Sequence, residues 1–459
     1  MIFISLILLG LSALAASQTL ITVNVGTRYQ IIDGFGFSQA FGRAREYQQV
    51  SASTQKYALD LLFSTTSGAG FSIIRNRIGS GGSGDSILPT SPGSPSGTPR
   101  YVWDNDDSGQ VWFSKQALSY GVKTVYADAW SAPGFMKTSG NEATPGYLCG
   151  TTGRSCSSGD WRQAYANMIV QYIKYYQQAG IPITHVGFLN EPDYTVSYSQ
   201  MQISPNAQEA ISFIPILYNT LQSNGLGSVN MTCCDAVGWN MQSTYTTNLV
   251  NGGSTRYLGI ITSHSYSSDA INLSQTTLRK WNTEAGTGGS YRLVTTWYSN
   301  GAPNEGMTWA IKLANAMVNA QLSAYLYWEG FEKNQQQSGS HLIDSADGNG
   351  MTISGIFWAF AMWSRHIRPG AQRVQTSGSL NSVITGAFQN ADGSVVVVFT
   401  NSGTSEQATR IGFQGFSPRS ASAWVTRQGT NFGGTGASLS GGVVSVSVPA
   451  KSVVTAKLT

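Results

Sequence analysis

Ile183-Thr184-His185-Val186-Gly187-Phe188-Leu189-Asn190-Glu191-Pro192 runs from a short apolar, β-branched segment into an amide, a carboxylate and a proline. A run of that length and composition reads as a strand buried on both faces, and Pro192 cannot continue it. Glu191 therefore stands where a buried strand emerges into a loop. In parallel sheets the carboxyl ends of strands are where ligands and chemistry collect.

Working outward, residues 71–78, 122–127, 228–233, 258–264 and 324–328 have the same apolar, strand-like character. Helix-period segments alternate with them. The clearest is 161–179, where Trp161, Tyr165, Met168, Ile169, Tyr172, Ile173 and Tyr176 recur at helical spacing. Asp160 can cap its start and Gly180 its end, and the aromatic stripe predicts core packing. Alternation over residues 33–368 predicts an α/β protein whose repeated units close a (β/α)8 TIM barrel, with the site on the rim formed by the strand ends.

Residues 369–459 follow a different pattern, with short alternating strands and glycine turns around 394–401, 422–425 and 443–450. This predicts an attached antiparallel β domain. The N-terminal stretch 18–32 is strand-like, lies outside the barrel pattern and is expected to join that domain. A chain of 459 residues accommodates two such cores.

A second glutamate, Glu284, ends another strand-like segment, Trp281-Asn282-Thr283-Glu284. A lone glutamate is an ordinary loop carboxylate; two at strand ends of one barrel share a rim. Retaining cleavage of a glycosidic bond needs one carboxylic acid to protonate the leaving oxygen and one carboxylate to attack the sugar, roughly 5–5.5 Å apart. Glu191 is assigned as acid/base, with Asn190 placed to bond a substrate hydroxyl, and Glu284 as nucleophile.

Composition narrows the partners. Only 11% of residues are charged, the formal net charge is +4, and Lys and Arg do not cluster, so nucleic acid is not expected. Residues 1–17, with the apolar run 2–14 followed by small residues, read as a secretory signal despite lacking a positive start. The run falls short of the roughly 20 residues of a membrane span. A secreted, extracellular monomer acting on a polysaccharide is expected, without cofactor or metal, because metal-ligand spacing is absent. Of four cysteines, Cys149 and Cys156 are paired as a disulfide, whereas adjacent Cys233 and Cys234 are read as buried free thiols. Asn230 and Asn272 begin glycosylation sequons.

The stretches Asp33-Gly34-Phe35-Gly36, Tyr126-Ala127-Asp128-Ala129-Trp130-Ser131-Ala132-Pro133-Gly134, residues 187–194, His264-Ser265-Tyr266, Tyr327-Trp328 and residues 357–370 are similar to those of glycoside hydrolase family 30. Within it the chain resembles the fungal xylanase subfamily, subfamily 7. The resemblance implies a barrel with a β-sandwich built from the N-terminal strand and the C-terminal segment. It also implies Glu191 as acid/base and Glu284 as nucleophile in endo cleavage of β-1,4-xylan, on glucuronoxylan in particular. Some members release xylobiose; the glycine-rich start of the loop 79–104, residues 80–85, carries no recognisable blocking residues, which favours endo action.

Arg43 is similar to an arginine that grips glucuronic acid branches, the alternative being an ion pair with Glu46. Arg77 is a candidate for orienting Glu284. Trp130 and Trp328 follow strand-like runs and are placed in the cleft for sugar stacking, with core packing as the alternative. Tyr266 either bonds Glu284 or is a buried tyrosine bonded to backbone. His264 is read as a structural histidine. Other specificities on the same scaffold, an endo-β-1,6-galactanase or a β-1,6-glucanase, remain open, as does a polysaccharide-binding protein without catalysis.

Overall fold

The computed structural model describes residues 18–79, 86–335 and 338–459. The stretch 1–17, read from the sequence as a secretory signal, and the glycine-rich stretch 80–85 lie outside the described residues. The first strand, β1 (Thr19–Ile31), is followed by eight that build the larger core: β2 (Gly34–Ser38), β3 (Ile73–Ile78), β4 (Thr124–Ala129), β5 (His185–Gly187), β6 (Asn230–Ala236), β7 (Ile260–His264), β8 (Arg279–Glu284) and β9 (Ala324–Lys333). Strands β2 to β8 neighbour one another in chain order, all in parallel, and β9 pairs with both β8 and β2, so the barrel closes. Every residue of β2, β3 and β7 is buried, as expected of strands packed on both faces.

Helices α1 (Arg43–Glu46), α2 (Ala52–Phe63), α3 (Gln110–Ser119), α4 (Arg162–Gln178), α5 (Gln208–Ser223), α6 (Trp239–Asn251), α7 (Gly306–Ala314) and α8 (Gly355–Ser364) lie between or after the strands. The repeat is incomplete in one place: residues 265–278, between β7 and β8, form no helix. That stretch is rich in Ser, Asp, Asn and Thr, whose side chains compete with helical backbone bonds. The helix α4 follows its sequence signal at its end and departs from it at its start, where Trp161 is the N-cap with no side-chain cap bond. Asp160, one residue earlier, accepts from Arg162 N at 3.1 Å through Oδ1. At the other end Gly180 takes φ +79°, with Gly180 N to Gln177 O at 3.0 Å and Ile181 N to Tyr176 O at 2.9 Å. This is the double bond that terminates a helix through a left-handed glycine.

Strand β5 is shorter than the apolar run that announced it. Beyond Gly187 the Phe188 carbonyl turns to accept from Tyr165 Oη of α4 at 3.0 Å. Gly187 itself leaves room for the barrel interior, because a Cβ there would stand 2.1 Å from Asp128 Oδ1 and 2.6 Å from Tyr126 Oη.

After β9, β10 (His341–Ser345) and β11 (Thr352–Ile353) extend the barrel sheet at its β9 edge. The chain then forms β12 (Gln372–Ser377), β13 (Val383–Gln389), β14 (Val395–Asn401), β15 (Gln407–Gln414), β16 (Ala421–Arg427), β17 (Thr430–Thr435), β18 (Ala437–Ser440), β19 (Val443–Val448) and β20 (Ser452–Leu458). These join β1 in the order β17-β16-β20-β14-β13-β12-β1-β15-β19-β18. Neighbours run antiparallel except β1 with β15. The N-terminal strand is thus an interior member of the sandwich, as its sequence suggested.

The two cores meet across β14. Val395, Val397 and Phe399 face the sandwich core, while Val396 and Val398 join the barrel-side core, the alternation a pleated strand imposes. The unbroken valine run in the sequence reflects that double burial. Thr455 Oγ1 donates to Met362 O of α8 at 2.6 Å, and Trp297 Nε1 donates to Lys451 O at 2.7 Å, tying the units together.

Cys149 and Cys156 form a disulfide with Cα atoms 5.5 Å apart. Cys233 and Cys234 also form one, which corrects the reading as free thiols; the peptide between them is cis and the Cα atoms are 3.0 Å apart. Asn230 and Asn272 are exposed. Among the described residues no helix is long and apolar enough to cross a membrane.

Candidate active site

Successive strands each deliver one polar side chain to the carboxyl end of the barrel: Arg75 from β3, Asp128 from β4, Asp235 from β6, His264 from β7 and Glu284 from β8. Asn190 and Glu191 follow from the loop after β5. All are buried, with Arg75 and His264 fully so and Glu191 and Glu284 at 6% and 5% exposure. Charges this deep persist only when paired, and here each is.

Glu284 accepts from Arg75 Nη1 through Oε2 and from Tyr266 Oη at 2.8 Å through Oε1. Arg75 Nη2 also donates to Asp128 Oδ2 at 2.8 Å and to Asn190 Oδ1 at 2.6 Å, so one guanidinium orients three groups. Its charge lies 4.5 Å from the Trp130 ring centroid. Glu191 takes φ +48°, with its N–H donated to Asp235 O at 2.8 Å. Its Oε1 lies 3.0 Å from His264 Nδ1. Below them Asp235 accepts from Tyr126 Oη at 2.6 Å, from Thr262 Oγ1 at 3.1 Å and from Thr283 Oγ1, with His264 Nε2 3.4 Å away.

Burial by itself would push the His264 imidazole down. It stands instead at about 10, because Glu284, Asp235 and Glu191 surround it with carboxylates. Burial pushes Asp235 up, but His264 and Arg75 together hold it below its ordinary range. Asp128, buried beside the Asp235 charge, is raised well above the usual carboxylate range despite Arg75. The site therefore sets two buried cations, Arg75 and protonated His264, beside the ionised Asp235 and among the carboxyl groups of Glu191 and Glu284.

This has a consequence for stability. A proton bound more tightly in the folded than in the unfolded chain adds stability that is complete below the ordinary histidine value of 6.5 and lost as pH rises through about 10. Denaturant titrations across that window should show the wild type losing more stability than His264→Gln. Parallel curves for the two proteins would contradict the charged histidine.

An oxygen of Glu191, a ring nitrogen of His264 and an oxygen of Glu284 lie within 4.8 Å of one another, a spacing at which a cation can be held. The donor set points elsewhere. Arg75 and Tyr266 already donate into the two oxygens of Glu284, and the Arg75 guanidinium sets a fixed positive charge beside them. The protein itself supplies the positive charge.

The two carboxylates open on a cleft of about 840 Å³ whose lining includes Phe41, Trp130, Asn190, Tyr194, Tyr198, Tyr266 and Trp328. Asn190, Tyr266, Trp130 and Trp328 are thus brought to one place with Glu191 and Glu284. Trp130 is only 2% exposed, packed between Arg75 and the edge of Phe41 at 5.5 Å, so most of its face is covered. Phe41, 46% exposed and at φ +52°, presents the accessible ring there. Its conformation, rare for a bulky side chain, left no mark in the sequence.

Arg43 is placed differently from the expected branch-gripping role. Its guanidinium pairs with Glu46, with Glu329 at 3.3 Å and with Glu332 at 3.8 Å, and it does not line the cleft. The ion pair with Glu46, the alternative reading, is the observed one. Arg77 does not reach Glu284 either: it donates to Ser199 Oγ at 2.9 Å and lies over the Phe41 ring at 4.4 Å. The orienting role belongs to Arg75, two residues earlier on the same face of β3. Tyr198, also missed, reaches Glu191, and burial together with that carboxylate raises its hydroxyl.

The pattern of the O-glycosyl hydrolase family 30 matches residues 18–339, and that of the glycosyl hydrolase family 30 beta sandwich domain matches residues 370–456. The catalytic domain of GH30 xylanase C from Talaromyces cellulolyticus is 49% identical and superposes with a TM-score of 0.91, covering 96% of this chain and 100% of that one. Glucuronoxylanase XynC from Bacillus subtilis is 22% identical over 455 residues, 96% of this chain and 92% of its own length. An endo-1,6-beta-D-glucanase, BGN16.3 from Trichoderma harzianum, is 29% identical over 176 residues, 36% of this chain and 34% of that protein.

Proposed function

The chain belongs to glycoside hydrolase family 30, and from that membership we propose that it hydrolyses β-1,4-xylan internally, with retention of configuration. The observation that carries the reading is the convergence of Glu191, from the loop after β5, and Glu284, from the end of β8, on one aromatic cleft with oxygens within 4.8 Å. Inverting enzymes hold their carboxyl groups about 6.5–9.5 Å apart to admit a water, whereas retaining ones hold them at about 5–5.5 Å.

In the first step Glu284, held by Arg75 and Tyr266, attacks the anomeric carbon while Glu191 gives its proton to the leaving glycosidic oxygen. In the second, Glu191 takes a proton from water, which attacks the same carbon and frees Glu284. Xylan as the polymer is supported by the likeness to the Talaromyces xylanase over nearly the whole chain and to the Bacillus glucuronoxylanase. Secretion is supported by the two disulfides, which persist in oxidising compartments.

Product masses from glucuronoxylan and from unbranched xylo-oligosaccharides test the proposal. A ladder of neutral and acidic fragments is expected, with both substrates cut, because Arg43 is committed to three carboxylates. Xylobiose as sole product would replace endo action by release from chain ends. The partial likeness to the Trichoderma glucanase favours β-1,6-glucan as the second reading, and release from that polymer with none from xylan would establish it.

A further inference from the structure

Glu191, at φ +48°, sits in the left-handed region, which a residue with a side chain keeps only when its surroundings fix it. One side is fixed by the bond from its N–H to Asp235 O. On the other side three carbonyls turn toward a single buried amide. Gln200, fully buried, donates from Nε2 to Glu191 O, to Tyr194 O at 3.0 Å and to Asn190 O at 3.4 Å. An amide nitrogen carries two protons, so the three acceptors share them.

Gln200 is braced in turn. Its main-chain carbonyl accepts from Lys137 Nζ at 2.8 Å, an ammonium that is 3% exposed and also donates to Glu142 O at 2.8 Å and Thr144 O at 3.0 Å. On the far side of Gln200, Gln202 N donates to Gly146 O at 2.8 Å. The segment between Pro192 and Gln202 is thereby anchored at its end, while Tyr194 and Tyr198 reach the cleft.

We infer that Gln200, braced by Lys137, is a positioning residue that holds the Glu191 backbone so that its carboxyl is aimed at the leaving oxygen. This rests on the reading of Glu191 as acid/base. Gln200 touches no reacting atom; it acts by fixing the carbonyl of the residue that transfers the proton. A residue with a merely structural role would lower activity on every substrate alike. A residue that aims the acid matters only where the leaving group needs a proton.

The test compares kcat/KM on xylotetraose, whose leaving sugar needs protonation, with 2,4-dinitrophenyl β-xylobioside, whose leaving phenolate does not. Gln200→Leu should lose about 10²-fold on xylotetraose and keep near-normal activity on the aryl glycoside, the size of effect expected for a reacting group displaced by an ångström. Glu191→Ala, as control, should show the same split more deeply. If Glu191→Ala splits the substrates and Gln200→Leu loses equally on both, or loses nothing, the positioning role is overturned. If Glu191→Ala shows no split, the acid/base reading fails and the inference with it. Should Gln200→Leu not fold, Gln200→Asn, which keeps the amide but is too short to reach the Glu191 carbonyl, gives the same reading.

Discussion

Glu284→Gln is expected to lower hydrolysis of xylan by at least about 10³-fold with the fold intact, since an amide cannot form the glycosyl intermediate through which the two-step route passes. Gln is close in shape to Glu and can still meet Tyr266 Oη, so the cleft should keep its form and bind oligosaccharide. Its amide would, however, face Arg75 without a charge to neutralise the guanidinium. The measurement is reducing-sugar release, with a melting curve to establish folding. Near-normal turnover by a folded Glu284→Gln would end the assignment of the nucleophile.

Arg75→Met should be nearly as damaging and should destabilise more than the glutamate change, because Arg75 serves three groups and Glu284 is only one of them. Arg75 is fully buried and is the cation shared by Glu284, Asp128 and Asn190. Removing one partner from a buried ion pair costs about 3–5 kcal/mol, because the charge left behind has lost its nearest counterion. Activity should fall with it, as Glu284 loses the donor that aims one of its oxygens. Arg75→Lys should recover only part of either loss, since a single ammonium cannot span three acceptors as a planar fork does. Denaturant unfolding and kcat on xylan report the two effects. A variant Arg75→Met with wild-type stability and turnover would contradict the network described here.

The two glutamates of the cleft were legible because their signals are local. Glu191 and Glu284 end apolar runs, and a carboxylate leaving a buried strand has few structural reasons to be there. The β domain was legible from its change of period, and the N-terminal strand from lying outside the barrel alternation. Arg75 was hidden by its own strand: Arg75 and Arg77 share one face of β3, and only the depth of the barrel decides which meets Glu284. Asp235 was hidden in a similar way, since its role depends on what His264, Tyr126 and Thr283 bring from other strands. The backbone conformation that exposes Phe41 and the bridge between Cys233 and Cys234 have no sequence period at all. Arg43 shows the limit of reasoning by place in the chain: its position is right for the rim, but Glu329 and Glu332 from β9 claim its charge.

Double displacement requires Glu284 to form a covalent bond to the sugar while Glu191 serves the leaving group. A slow xylobiosyl substrate, fluorinated at C2 of the reacting sugar and carrying a dinitrophenyl leaving group, accumulates that intermediate, and peptide mass spectrometry of the trapped protein locates the bond. The label is predicted on Glu284. A label on Glu191 would reverse the roles, and release of the α-anomer as first product, with no adduct, would contradict the double displacement itself.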